Sequence, residues 1–251
     1  MKIGRFRAFA YHLLGSALIG LSCAALVFLL WYPWPLPLAT GVTGIFLILL
    51  SVDVTIGPFI TLIIFNPAKK ELKRDLAIIL LLQVSALLYG MHTVWVARPV
   101  YTTFCVDRFD LVFANDLTDE KLAKVSDANF KSVPWGRPQL VAAKNPDDLE
   151  ESSDVLFSAA FGGDDLPQLP QYYVPYLTQK ASVLEKLQPL DKLKPFNSGN
   201  EAAVDRLIDK YGGDKAVAGF LPLRGKVQDL TVIVHKDSAE VLEIVDLNPW
   251  H

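Results

Sequence analysis

Three long apolar runs, all within the first 97 residues, decide what this chain can become. Residues 8–32 carry no formal charge apart from the ionisable His12, residues 38–65 carry only Asp53, and residues 76–97 carry none apart from His92. Each run reaches the roughly 20 residues needed to cross a bilayer. In lipid the backbone polar groups must be satisfied within the segment, so runs of this kind fold as helices. From Arg98 onward charged residues and turn formers are frequent, and no further run of that length occurs. The sequence therefore predicts an α-helical membrane anchor of three transmembrane helices over residues 1–97, followed by one α+β domain over residues 98–251. About 150 residues is an ordinary size for a single fold.

Orientation follows from the short loops. Lys2, Arg5 and Arg7 precede the first span, and Lys69, Lys70, Lys73 and Arg74 lie between the second and third. The uncharged turn Pro33–Pro37 sits beside Trp31 and Tyr32. The positive-inside and aromatic-belt rules agree on a cytoplasmic N-terminus, a cytoplasmic loop at 66–75 and an outer C-terminal domain. In a bacterium this describes a multi-pass inner-membrane protein with a periplasmic domain. Ser22-Cys23-Ala24-Ala25 resembles a cleavage or lipidation site, but the apolar run continues through Trp31 and Gly20 stands where a lipobox wants Leu.

The two halves differ in charge. Residues 1–97 hold seven Lys/Arg against three acids, and the remainder holds 17 against 24, a balance of +4 and −7. No basic stripe marks the outer domain, which argues against nucleic acid as a partner. Cys23 lies in the first span and Cys105 outside it, so the two cannot bridge.

Within the outer domain, Val100–Phe113 lacks Gly and Pro and reads as strand, and Gln139–Ala143 as a second. Helices are expected from Thr118 toward Asn129, over Asp147–Phe161 before Gly162-Gly163, near 175–187, and over 199–211 before Gly212-Gly213. Asp229–His235 and Glu240–Asp246 alternate around a four-residue turn and predict a hairpin. The first and last strand segments are candidates to pair. Leu221-Pro222-Leu223-Arg224-Gly225 reads as a loop entering the hairpin.

Chemistry-bearing motifs are scarce. No His pair has metal-ligand spacing, and no nucleophile, phosphate-cradle or metalloprotease signature occurs, so no catalytic residue, metal ligand or cofactor is assigned. Candidate partner-binding residues are Asp53, Gly57, Pro58, Asp107, Arg108, Arg224, Tyr172 and Tyr173. A carboxylate at bilayer depth costs about 2.5–3.5 kcal/mol on insertion scales. Pro58 removes a backbone donor and crowds the carbonyl of Val54, so the helix should deviate beside the acid. Asp53 is read either as bonded internally to Thr55, Ser22 or Gln83, or as contacting a partner or ion. Asp107-Arg108 interrupts an apolar strand, with alternation placing Cys105, Asp107, Phe109 and Leu111 on one face. It is an edge ion pair or a recognition point. Arg224 suits a carboxylate or a set of backbone carbonyls. Tyr172, Tyr173 and Tyr176, with Pro170 and Pro175, form a candidate ledge or a packed loop.

Several stretches taken in order carry a resemblance. They are residues 53–66 (Asp-Val-Thr-Ile-Gly-Pro through Phe-Asn), the basic loop from Pro67, Arg98-Pro99-Val100-Tyr101, Val106-Asp107-Arg108-Phe109, Leu221–Gly225, Asp229–Val232 and Ile244–Trp250. Over nearly the whole chain this set resembles the type IV pilin accessory proteins of the TfpX/TfpZ kind. The resemblance implies a non-catalytic, chaperone-like protein of the inner membrane that helps pilin persist or enter the pilus. Its implied partners are the type IV major pilin, the pilus assembly machinery and membrane lipid. Asp53 would then meet the ammonium end of the pilin helix. Two other classes stay open, a periplasmic-facing enzyme modifying pilin or envelope glycans, and a membrane ligand sensor.

Overall fold

The computed structural model describes residues 4–212 and 217–250. The chain divides into two compact units, residues 1–34 with 41–97 and residues 35–40 with 98–251. The expected helix stop at Gly213 and the terminal His251 lie outside the described residues.

The first unit contains three helices long and apolar enough to span a membrane, α1 (Arg5–Trp31), α3 (Val42–Ile64) and α4 (Leu72–Val96). Small residues let them approach closely, as is usual where no hydrophobic force drives helices together in lipid. A Cβ on Gly20 of α1 would lie 2.3 Å from Leu50, and one on Gly90 of α4 would lie 2.3 Å from Leu49. Adjacent leucines of α3 thus seat on a glycine of each neighbour. The Tyr32 hydroxyl donates to the Val94 carbonyl at 2.9 Å, and the Trp31 and Trp95 rings meet at 4.8 Å. The end of α1 widens into a π-turn over Leu26–Trp31, closed by the Tyr32 N–H on the Val27 carbonyl.

Leu38, which the apolar run assigns to the second span, instead belongs to a short helix α2 (Leu36–Thr40) in the second unit. Gly41, at φ 72, separates α2 from α3. Leu36 and Ala39 are buried in the core of the second unit, and the Ala39 carbonyl accepts the N–H groups of both Lys226 and Val227 at 2.9 Å. Gly225 allows that approach, since a Cβ there would sit 2.1 Å from the Gln228 carbonyl oxygen and 2.9 Å from Ala39.

The rest of the second unit is a seven-stranded mixed sheet with helices on it. Its elements are β1 (Pro99–Cys105), β2 (Arg108–Phe113), α5 (Asp119–Ala123), β3 (Gln139–Ala143), α6 (Leu149–Ala160), β4 (Tyr173–Pro175), α7 (Lys180–Lys186), α8 (Glu201–Tyr211), β5 (Ala218–Arg224), β6 (Leu230–His235) and β7 (Val241–Val245). The strand order is β4-β3-β1-β2-β5-β6-β7. The β1–β3 and β2–β5 pairs are parallel and the others antiparallel. Phe104, Phe109, Leu111, Leu221 and Val232 form one buried layer with α2, Tyr176 and Val183. Tyr101, Cys105, Val112, Val141 and Tyr173 form another with Leu117, Phe130 and Val155. Val204 and Leu207 of α8 pack with Phe220 and Ile233 in a third.

Three expectations change here. Val100–Phe113 is not one strand but a tight hairpin turning at Val106-Asp107, with Val106 at φ 58 and the Asp107 N–H on the Cys105 carbonyl. The turn contains neither Gly nor Pro, and the β-branched and aromatic residues on both sides of Asp107-Arg108 concealed it. Consequently Cys105 faces the layer opposite to Phe109 and Leu111. The second change is β5, whose residues Leu221–Gly225 were expected to be a loop entering the hairpin. It is a strand paired along β6, while its pairing with β2 is confined to Phe109–Leu223 and Asp110–Arg224. That short register excludes the proline, which has no N–H to give. It also sets β5 between the first and last strand segments, so these do not pair. Finally, the helix from Thr118 ends at Ala123, well before Asn129.

Candidate functional site

Asp53 lies in the second apolar helix, where the deviation expected beside Pro58 takes the form of a π-turn over Val52–Ile56. A wider turn at this point relieves the crowding of the ring on the preceding carbonyls, and such turns recur at functional positions. Asp53 is 8% exposed, and both of its carboxylate oxygens are buried with no hydrogen-bond partner among the described residues. Of the internal partners considered for its carboxylate, Ser22 and Gln83 bond elsewhere. Ser22 donates to the Leu18 carbonyl, and the Gln83 amide donates to the main-chain carbonyl of Asp53 at 3.1 Å.

The acid faces a cavity of about 270 Å³ between the three helices, lined by His12, Ser16, Gly20, Cys23, Gln83 and several apolar side chains. Gly57 and Pro58 are both buried on the same helix. A Cβ at Gly57 would stand within 2.4 Å of three side-chain atoms of Gln83, so this glycine is what lets α4 reach the acid's backbone. One turn on, buried Thr61 meets His12 Nδ1 at 2.7 Å and ties α3 to α1. His12 and Gln83 stand outside the sequence-predicted binding residues, since an isolated His or Gln in an apolar run carries no recognisable spacing.

The candidates in the second unit gather differently. Arg224, at the end of β5, donates from Nε to Asp110 and from Nη2 to Asp165 at 3.0 Å. Arg108 lies 3.3 Å from Asp107 and Asp110 and 3.9 Å from Asp165. Arg108 and Arg224, far apart in sequence, thus share two carboxylates, and parallel pairing of β2 with β5 is what brings them together. Asp110 is buried, and burial pushes its carboxyl above the ordinary carboxylate range despite both guanidinium groups. Two arginines facing three acids of their own chain form a structural clamp and leave little charge for an incoming anion. Asp110 and Asp165 are the partners sequence reasoning missed. An acid inside the apolar run Phe109–Phe113 was the available signal for the first.

The tyrosine ledge is not a surface. Tyr173 and Tyr176 are buried, with hydroxyls donating to the carbonyls of Pro167 at 2.5 Å and Ala239 at 2.8 Å. Only Tyr172 reaches outward, to Glu151 at 2.6 Å. A buried phenol needs a partner, and nearby carbonyls supply it.

The family model described as fimbrial assembly protein FimB matches residues 2–41. Two fimbrial assembly proteins of Dichelobacter nodosus, of serogroup E1 and serogroup I, are each 30% identical over 215 residues, which is 84% of this chain and 83% of theirs. A third, of serogroups C1 and C2, is 34% identical over 113 residues, 44% of this chain and 86% of its own. No solved structure matches the chain. With 30% identity over 84% of its length, the chain belongs to the family of fimbrial assembly proteins.

Proposed function

We propose that this protein is a non-catalytic accessory of the bacterial inner membrane that holds a type IV pilin subunit and supports its stability or assembly. Asp53 contacts the ammonium end of the pilin's apolar helix. The observation that carries this reading is a buried carboxylate without a partner, facing a cavity among three apolar helices, in a member of a fimbrial assembly family. A carboxylate left unpaired at that depth is costly, and a cation brought by a partner offsets the cost. Family membership supports the process, and the orphaned acid supports the contact.

The proposed topology places residues 98–251 in the periplasm, where the head of a membrane-held pilin also lies. Pro35–Thr40, joining the first two spans, folds with residues 98–251, as one-sided placement requires. Engaging helix and head together would raise avidity through effective concentration.

Asp53→Asn preserves shape and removes the charge. It is expected to lower co-purification of pilin from native membranes about tenfold or more, with accessory protein level unchanged. Full pilin recovery and normal piliation with Asp53→Asn would exclude the ionic contact.

A further inference from the structure

We infer that the outward face of α6 is a docking surface for a protein partner presenting an apolar ridge flanked by lysine or arginine. Leu149, Leu156 and Phe157 stand out from α6 at helical spacing, and Phe161 follows at its end. Leu149 and Phe161 are 85% and 86% exposed, whereas Val155, on the opposite side, is buried in the sheet core. The Phe157 and Phe161 rings stack, 6.4 Å between centroids and 20° between planes. The packing of α6 needs only its Val155 side. A contiguous apolar stripe on the other side marks an interaction surface, and exposed aromatics are the usual anchors of one.

Charge selects the occupant. Residues 145–179 contain seven acids and no Lys, Arg or His. Glu150 and Asp154 are exposed along one flank of the stripe. Asp147, Asp164 and Asp165 are paired with Lys144, Lys121 and the two arginines, whereas Glu150 and Asp154 are in no ion pair among the described residues and keep the flank acidic. A second copy of the chain would set acid against acid, and like charges across an interface are costly. Anionic lipid would be repelled for the same reason. A basic-rimmed protein satisfies both the apolar ridge and the acidic flank. No membrane-helix residue takes part, so this inference stands apart from the role of Asp53.

The test places photoreactive benzoylphenylalanine at Leu156 of the full chain and irradiates membranes of its host bacterium. Adducts are expected on a protein segment where apolar residues have Lys or Arg beside them. Glu150→Lys combined with Asp154→Lys is expected to cut the adduct yield about tenfold, at unchanged protein level. Phe157→Ser, which keeps the acids, should cut it comparably. Adducts on lipid or on a second copy, an absence of adducts, or a yield indifferent to charge reversal would each overturn the inference.

Discussion

Asp110 lies beneath two guanidinium groups, yet burial holds its carboxyl above the ordinary value of 3.8. A carboxyl raised in the folded state favours its protonated form there. Its stabilising contribution is therefore complete below the unfolded value and fades as pH rises through the folded one. The stability difference between the natural protein and Asp110→Asn should move toward the natural protein as pH falls through the carboxylate range. Hydrogen exchange of the full chain can follow this, and movement toward the variant would reverse the assignment. Cys105 offers a second readout. Burial, helped by nearby Asp110 and Asp165, pushes its thiol up to about 12. The reactive thiolate is thus suppressed, and alkylation of Cys105 in the folded chain at neutral pH should run at least about a hundredfold slower than for a free thiol. Labelling at the ordinary rate would mean that the β1–β2 hairpin opens readily.

Among the elements, the β1–β2 hairpin and α3 carry the clearest local strain and packing. Val106 holds φ 58, a conformation that costs a β-branched residue on the order of 1–2 kcal/mol. Val106→Gly should raise the melting temperature of the outer domain, and an unchanged or lower Tm would show that the Val106 side chain contributes packing that outweighs the strain. In α3 the constraint has the opposite sense. A Cβ at Gly57 meets the amide end of Gln83, which can swing aside, so Gly57→Val should break the Gln83 bond to the Asp53 carbonyl at a cost of about 1 kcal/mol. Lower steady-state protein level and faster proteolysis in membranes would report it. Several element ends were legible because a single residue determines them. Asp148 caps α6 by accepting the Glu151 N–H, and Gly162 follows α6 at φ 82. The β1–β2 turn was hard to read because Val106, which takes the positive φ, is a strand former, and Asp107 alone marked the break.

For the whole molecule, the consequential feature is that residues 35–40 fold apart from the apolar helices and complete the core of the second unit. Leu36 and Ala39 supply apolar contacts there that residues 98–251 alone lack. An isolated 98–251 fragment should therefore be less stable than one carrying 35–40 appended by a flexible linker, by roughly 1.5–3 kcal/mol for the Leu36 side chain. Equal denaturation midpoints would show that α2 adds nothing to the fold.

The three membrane helices are written in the sequence alone, because an apolar run of that length satisfies its backbone in lipid only as a helix. The sequence also determined the α+β character of the remainder and located Asp53 among the candidates, because a lone acid in an apolar run is visible without coordinates. The tertiary structure alone decided which groups meet. Parallel pairing of β2 with β5 sets Arg224 on Asp110, 114 residues apart, and packing of three helices leaves the Asp53 carboxylate facing a cavity while Gln83 takes its backbone. It also turned Tyr173 inward and Phe161 outward. Long-range pairing and burial are properties of the assembled core, and no local pattern of residues encodes them one at a time.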